Sequence, residues 1–471
     1  MDNKFIGRKD ELQFLQRIAQ SGHAEFVAVY GRRRVGKTRL IQHFFNKSFD
    51  FEASGIIDGN RAEQLYSFTR SLIAAGYDGA QPTIWLEAFD ALKDTLQSKR
   101  HDGRLVIYID ELPCFDTPKS DFVKALGYFW NTWASKRDDV MLVVCGSATS
   151  WMIDNIVNNH GGLHNRITHS INLKQFTLSE TEEYLAAGKF NWSRSLVIET
   201  YMMFGGVPYY LSLLDNHETL PQNIDRLYFN SSGELRQEYK RLYSSLFRSP
   251  ESYIKIIEAL ARHKQGMTRN EIAADVKLST GGQLTARLSN LEHCGIIRSY
   301  ITKSRGKAKT SNAYYQLVDL FTLFHLTFAK KISTDDYWQQ HTITPAINNW
   351  RGLAFEHVCM VHINNIRQAL GLTKIAVEYY SWRSNDLPKA QVDMVIERAD
   401  RLINICEMKF AADTYTITAD DNRQMRARMA AFKAQTKTRC GLIPTWITPY
   451  GLTDNQYSAE VTAQVTMDDL F

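Results

Sequence analysis

The chain is poor in cysteine, lacks any long apolar run and leans only slightly to one charge, and each shortage closes off a class of protein. Its six cysteines, Cys114, Cys145, Cys294, Cys359, Cys406 and Cys440, are scattered and never form C-x-x-C. Neither a zinc site nor a disulfide scaffold is therefore expected. No window approaches the ~18 uninterrupted apolar residues of a membrane span. The opening Met1-Asp-Asn-Lys-Phe5 carries no apolar signal region. A reducing, cytoplasmic setting without membrane contact is the expectation. The 56 basic and 51 acidic side chains leave a net charge of +5, too mild to establish nucleic-acid binding by itself. With 471 residues and ordinary apolar content, the chain has room for about two to four domains with sizeable cores.

What is present sits in short phrases, the first of which is Gly31-Arg-Arg-Arg-Val-Gly-Lys-Thr38. It spells G-x-x-x-x-G-K-T, the phosphate-binding loop of nucleotide hydrolases. Glu25-Phe-Val-Ala-Val-Tyr30 before it reads as a buried strand, and Arg39-Leu-Ile-Gln-His-Phe-Phe45 after it as an apolar-periodic helix. That strand–loop–helix context is what the motif requires. Gly31 and Gly36 let backbone N–H groups approach phosphate oxygens closely. Lys37 brings a compact positive charge to the β- and γ-phosphates, and Thr38 a hydroxyl ligand for Mg2+. Arg34, Val35 and Arg39 complete the expected nucleotide-binding set. A second strand, Leu105-Val-Ile-Tyr-Ile109, runs into Asp110-Glu111. This is a Walker B pattern, in which the strand is buried in a parallel sheet and the acids emerge at its carboxyl end, where ligands bind. Asp110 is expected to hold Mg2+ through water, and Glu111 to polarise the attacking water. A third strand, Val140-Met-Leu-Val-Val-Cys145, ends in Gly146-Ser147. No Asn-Lys-x-Asp phrase follows it, so ATP rather than a guanine nucleotide is the expected cofactor.

Further phrases resemble parts of ATPases of the AAA+ and STAND groups. Phe5-Ile-Gly-Arg8 precedes an amphipathic stretch with Leu12, Leu15 and Ile18 on one face, and in those groups a similar phrase packs against the adenine. Ser147 resembles sensor 1, which contacts the γ-phosphate or the water. Arg166 ends His160-Gly-Gly-Leu-His-Asn-Arg166 and resembles an arginine that follows a glycine-containing phrase in related ATPases. On a neighbouring subunit it would serve as a finger that stabilises transition-state charge; otherwise it is a surface cation. Gly205-Gly-Val-Pro-Tyr-Tyr210 resembles the Gly-x-Pro element of the STAND lid, which implies that Pro208 lies near the adenine. A simple interhelical turn uses the same residues.

From Thr268 the pattern changes. Thr268-Arg-Asn-Glu271 is a capping box opening a short helix, and a longer helix to His293 carries Leu284, Leu288 and Leu291 on one face. Two apolar segments, Gly295-Ile-Ile-Arg-Ser-Tyr-Ile301 and Ala313-Tyr-Tyr-Gln-Leu-Val318, flank the basic Lys303-Ser-Arg-Gly-Lys-Ala-Lys309. Helix, turn, helix and basic-tipped hairpin is a winged-helix layout, suited to a DNA major groove and its phosphates. Many such domains are spacers or protein-binding modules instead.

Farther on, Gln391-Val-Asp-Met-Val-Ile-Glu397 and Leu402-Ile-Asn-Ile-Cys-Glu-Met-Lys409 read as two strands around a tight turn. If the hairpin is symmetric about Asp400, Asp393 and Glu407 face each other with Cβ atoms roughly 5 Å apart. Apposed carboxylates repel and a divalent cation relieves the repulsion, so both are candidate metal ligands. Lys409 projects from the same face, where a cation orients water or stabilises a pentavalent phosphate. Upstream, Glu356 shares a helix face with Cys359, Met360 and Ile363, a costly place for a carboxylate without a metal or cation beside it. The later helix carries Arg423, Arg426 and Arg428, either a phosphate channel near the carboxylates or a solvated face.

A helix-borne Glu356, then Asp393, then Glu407-Met-Lys409 resembles the PD-(D/E)XK nuclease fold, with Val392 where the motif name has proline. In that family the aspartate and glutamate ligate Mg2+ and the lysine assists the water. The order of parts as a whole resembles the archaeal-type ATPases of the AAA+/STAND superfamily, many of which end in a restriction-endonuclease-like domain. The resemblance implies an α/β multidomain chain: a P-loop parallel α/β ATPase core at 1–175, a helical lid at 176–250, a winged helix at 251–320 and a restriction-endonuclease-like α/β domain at 321–471. It implies an ATP- and Mg2+-dependent homo-oligomer that acts on DNA. Glu111, Arg166, Glu356, Asp393, Glu407 and Lys409 would be its catalytic residues, with defence against foreign DNA as a role by analogy. The alternative is a STAND-type signalling or regulatory switch whose C-terminal domain binds a partner or DNA without cutting.

Overall fold

Two apolar faces on each of three central strands decide the first sheet. Glu25–Tyr30 (β1), Phe51–Ser54 (β2), Leu105–Asp110 (β3), Val140–Gly146 (β4) and His169–Asn172 (β5) pair in parallel, in the order β2-β3-β4-β1-β5. In the computed structural model of the chain, every residue of β1, β3 and β4 is buried, as helices on both faces of a parallel sheet require. Successive side chains point to opposite faces. Phe26 and Ala28 therefore join one core layer with Ile107, Ile109, Leu142 and Val144, while Val27 and Val29 join the other with Tyr108, Met141, Val143 and Cys145. Aromatic rings of Phe68, Trp85, Phe89 and Phe129 fill the first layer. Leu15 of helix Lys9–Ala19 and Leu40 of helix Lys37–Phe44 cover the second. The chain leaves β1 for the far edge, returns through β3 and β4, then crosses to β5 on the other side of β1. Such a reversal opens a crevice at the carboxyl end of β1.

The structure describes residues 5–97, 103–159, 161–247, 249–304, 307–332, 334–384 and 390–471, with backbone only over 301–312. The expected basic side chains from Lys303 to Lys309, and His160, lie outside the described residues. The chain divides into two compact units, Asp2–Gln175 with Leu242–Pro250, and Phe176–Arg241 with Glu251–Phe471. The parallel sheet belongs to the first.

The second unit begins with helices that local chemistry starts cleanly. Capping boxes at Thr177/Glu180, Thr219/Gln222 and Thr268/Glu271 open Leu178–Ala187, Leu220–Ile224 and Arg269–Val276, each reciprocally satisfying first-turn donors. Between helices Arg194–Phe204 and Pro208–Leu211, Gly205 and Gly206 take φ of 66 and 64°. A Cβ on Gly206 would collide with the Phe176 carbonyl and the Tyr201 ring. Packing inside this unit is thus a sufficient reason for the Gly-Gly-x-Pro phrase. Helix Gly282–His293 buries Leu284, Leu288 and Leu291, as its spacing predicts. Met267–Thr268 (β6), Ile297–Ser304 (β7) and Lys307–Leu317 (β8) form an antiparallel sheet in the order β6-β8-β7.

Val377–Arg383 (β9), Gln391–Arg398 (β10), Leu402–Met408 (β11), Gly441–Ile447 (β12) and Ala463–Val465 (β13) form a mixed sheet in the order β13-β12-β11-β10-β9. Strands β9, β10 and β11 are antiparallel neighbours. Strands β11 and β12 are parallel, which demands a crossover, and helix Ala419–Thr436 supplies it. Trp382, Val395, Ile405, Phe432 and Trp446 anchor the core. Helix Pro345–Val361 packs on β11, and β7 lies beside β9.

One buried imidazole of this unit makes stability pH-dependent. His325 stacks on Tyr239 with centroids 4.7 Å apart. Burial, aided by the charge of Lys330, pushes its pKa from 6.5 down to about 4. The folded value lies below the unfolded one, so the unfolded chain takes up the proton first. The contribution of His325 is full above about pH 6.5 and declines as pH falls towards about 4, by up to roughly 3 kcal/mol. Urea melts at about pH 7 and about pH 5 should show the decline, and His325→Phe, which keeps the ring stack, should remove this part of the slope. An unchanged slope in the variant would exclude His325 as its source.

Candidate functional site

The glycine loop connects β1 to helix Lys37–Phe44. At Gly31 a Cβ would strike the Leu173 carbonyl just past β5, so only glycine lets the loop pass. Gly36, at φ 92°, is the N-cap of the helix, whose first N–H groups lack intrahelical acceptors and favour an anion. Arg34 adds a left-handed residue at φ 72°. Lys37 is buried, and its ammonium donates to the carbonyls of Gly31 at 2.9 Å and Arg32 at 3.1 Å. Burial lowers its pKa, with Glu111 and Asp110 among the groups that oppose the shift.

The Thr38 hydroxyl donates to Asp110 Oδ2 at 2.7 Å, and Asp110 Oδ1 accepts the Glu111 N–H at 2.9 Å. A hydroxyl and a carboxylate side by side are hard oxygen ligands and fit Mg2+. Glu111 leaves β3 in the left-handed region, at φ 44°, a costly conformation for a non-glycine residue and one common at functional sites. Its Oε2 accepts from the Ser147 hydroxyl at 2.8 Å and the Ser147 N–H at 3.3 Å. Ser147, expected at the phosphate or the water, is therefore seated on the glutamate itself. Lys37, Thr38, Asp110, Glu111 and Ser147 thus come together as the sequence predicts. Beside them a cavity of about 580 Å3 is lined by residues including Phe5, Thr38, Arg39, Gln42 and His43, with Phe5 stacked on His43 at 4.1 Å. Arg166 is exposed, and among the described residues its guanidinium makes no hydrogen bond to this group. Pro208 opens its short helix in the second unit.

Residues 5–214 match a family model described as an ATPase domain predominantly from Archaea. The chain carries an archaeal-type P-loop ATPase domain. An uncharacterized protein of Methanocaldococcus jannaschii is 24% identical over 383 residues, 77% of this chain and 79% of that one. An uncharacterized ATP-binding protein of the same organism is 52% identical over 40 residues, which is 8% of this chain and 68% of its own length. Among solved structures, the Walker-type ATPase of Pyrococcus abyssi is similar with a TM-score of 0.47 and 17% identity, over 68% of this chain and 96% of that one.

A second cluster lies in the other unit. Across β10 and β11, Met394 faces Cys406 and Glu397 faces Ile403. This is the register symmetric about Asp400, and the paired ladder ends at Met394 and Cys406, the neighbours of Asp393 and Glu407. Glu407 is buried between two cations: Lys409 Nζ lies 3.1 Å from Oε1, and Arg428 of helix Ala419–Thr436 pairs with Oε2. Asp393 Oδ1 accepts from Gln391 Nε2 at 2.7 Å. Glu356 feels both acids. Burial, then the charges of Asp393 and Glu407, hold its carboxyl pKa well above the usual range, against Arg298 and Lys409.

Arg298, on β7, is a residue of this cluster to which no motif points. Its Nε and Nη2 donate to Gln316 Oε1 at 2.9 and 2.7 Å, and Nη2 also donates to Ser381 Oγ at 2.9 Å. The Ser381 hydroxyl in turn donates to the Asp393 carbonyl at 2.6 Å. Of the two alternatives for the arginines of helix Ala419–Thr436, the solvated face suits Arg423, paired with Asp420, and Arg426, paired with Glu460, and of the three only Arg428 reaches a site carboxylate. At about 100° per residue, Arg426 points some 200° around the helix from Arg428. Among the described residues no three of His, Cys, Asp and Glu stand close enough to hold a metal ion, and both Glu407 oxygens are taken. A divalent ion shared by Asp393 and Glu407 would have to displace Lys409 or Arg428 from Glu407.

In the ATPase domain, Lys37→Ala is expected to abolish ATP turnover. Glu111→Gln should keep nucleotide binding and slow hydrolysis about 10²–10⁴-fold, the usual worth of a positioned general base. Turnover by phosphate release and binding by a fluorescent nucleotide separate the two effects, and normal hydrolysis in either variant would overturn the assignment.

Proposed function

We propose that this chain is an ATP-hydrolysing protein that acts on DNA, with its C-terminal sheet serving as a nuclease-like centre. The observation that carries the reading is the β10–β11 register, whose last pair, Met394 and Cys406, adjoins Asp393 and Glu407, together with Lys409 paired to Glu407 and Glu356 near enough to feel both acids. In the ATPase domain, Thr38 and Asp110 would hold Mg2+, which draws negative charge off the nucleotide's phosphates when bound. Glu111 polarises the attacking water, once its bond to Ser147 lets it turn to that task. The exposed Arg166 suits a finger that completes the site of a neighbouring subunit. Helices Arg269–Val276 and Gly282–His293, with β6 before them and β7 and β8 after them in one antiparallel sheet, support a winged helix that reads or rests on DNA. The four parts 1–175, 176–250, 251–320 and 321–471 then follow as core, lid, winged helix and nuclease-like domain, in a cytoplasmic homo-oligomer.

A second reading has its own observation. Glu407 is neutralised by Lys409 and Arg428, which favours a domain that binds DNA or a partner under the control of ATP without cutting. Purified protein with ATP and Mg2+ or Mn2+, offered linear and supercoiled DNA, separates the two. Cutting that falls at least about a hundredfold in Asp393→Ala and Lys409→Ala, with ATP turnover intact, supports the nuclease-like centre. Salt-sensitive DNA binding without cutting supports the second reading. Neither binding nor cutting would sink the assignment to DNA.

A further inference from the structure

From sequence the phrase Phe5-Ile-Gly-Arg8 is expected against a base, but the Arg8 side chain goes elsewhere. Arg8 takes φ 60° as the N-cap of helix Lys9–Ala19 and turns its guanidinium inward, leaving 4% of the residue exposed. Its Nη2 donates to the Val35 carbonyl at 2.9 Å and to the Lys174 carbonyl at 2.8 Å, while Nη1 lies 3.7 Å from Glu11. Val35 is inside the phosphate loop. Lys174 adjoins Leu173, whose carbonyl crowds Gly31 at the other end of the same loop. One nitrogen therefore ties the loop to the chain leaving β5.

Peptide geometry gives this tie a consequence. The Val35 C=O and the Gly36 N–H belong to one planar trans unit and point in opposite directions. A donor that holds the carbonyl outward therefore aims the N–H inward, the direction in which such a loop offers its N–H groups to phosphate. Gly36, at φ 92° and without a Cβ, has little local resistance to a turn of that peptide. Such a turn would present an oxygen to an anion.

We propose that Arg8 is a positioning residue of the ATPase domain: it holds the Val35–Gly36 peptide so that the Gly36 N–H faces the nucleotide's phosphates, and it contacts neither base nor phosphate. The backbone N–H groups of this loop type cradle the α- and β-phosphates, which ATP and ADP share, so Arg8 governs the binding of both alike. It does not act on the γ-phosphate and leaves the chemical step alone.

The test uses the full chain with R8K and R8A, measuring kcat and KM for ATP, Kd for ADP, and Tm without nucleotide. Lysine keeps the charge but lacks the planar fork that serves two carbonyls. In R8K, KM for ATP and Kd for ADP should rise together by about tenfold, with kcat changed by less than about twofold. Methylguanidinium, at concentrations that leave the parent unaffected, should lower the KM of R8A towards the parent value. If R8A does not fold, R8K decides alone. Nucleotide binding within about twofold of the parent in R8K overturns the proposal, even where Tm falls, because Arg8 would then serve only the fold. A fall in kcat at unchanged KM also overturns it, since Arg8 would then act in the transition state.

Discussion

A hydrogen bond of 2.7 Å between the Thr38 hydroxyl and Asp110 joins the first turn of one helix to the end of β3, and much of the first unit is arranged around it. Thr38 arrives there because Gly31 squeezes past the Leu173 carbonyl and Gly36 turns the chain into a helix. Asp110 arrives because β3 is apolar throughout its length and buried on both faces, so the first polar residues emerge only at its end. Neither partner can move without disturbing a fully packed sheet. The pair is consequently preorganised, with the reorganisation already done during folding. Glu111 is the exception: its left-handed backbone and its grip on Ser147 mark it as the member of the group with somewhere else to go.

The carboxylates of the second unit solve a different problem. Buried acids in one place are costly unless cations accompany them. Here three different segments supply the cations: Lys409 from beyond β11, Arg428 from the crossover helix and Arg298 from β7. The Glu407–Arg428 pair also pins the helix to the sheet that it crosses. Charge neutralisation and architecture are therefore the same contacts, and a change of partner at Glu407 would be felt along helix Ala419–Thr436.

Much of this was legible from local pattern. Lys37, Thr38, Asp110 and Glu111 announce themselves because phosphate chemistry demands those residue types at strand and helix ends. The register of β10 on β11 was legible because a two-stranded register has only one free parameter, the turn. The arginines were not. Arg8 meets Lys174 across 166 positions and Arg298 meets Ser381 across 83, and no periodicity encodes such encounters. Buried arginine satisfying backbone carbonyls also looks, in sequence, like any surface arginine. Ser147 shows a subtler limit: its place at the strand end was evident, but its choice of a glutamate as partner depends on one unusual backbone angle. The three arginines of the crossover helix part company for a simpler reason, since their spacing scatters them around the helix.

The path from Gln316 through Arg298 and Ser381 to the Asp393 carbonyl bears on how such a protein can be divided and inherited. A cut at residue 321 would leave every carboxylate in place, yet it would take away the guanidinium that opposes Glu356 and steadies Ser381 behind Asp393. The piece that remained would carry its acids without one of their three cationic escorts. Two stretches of sequence that look separable on paper share a hydrogen-bonded seam, and parting them would strip the acids of a partner that their own stretch does not supply.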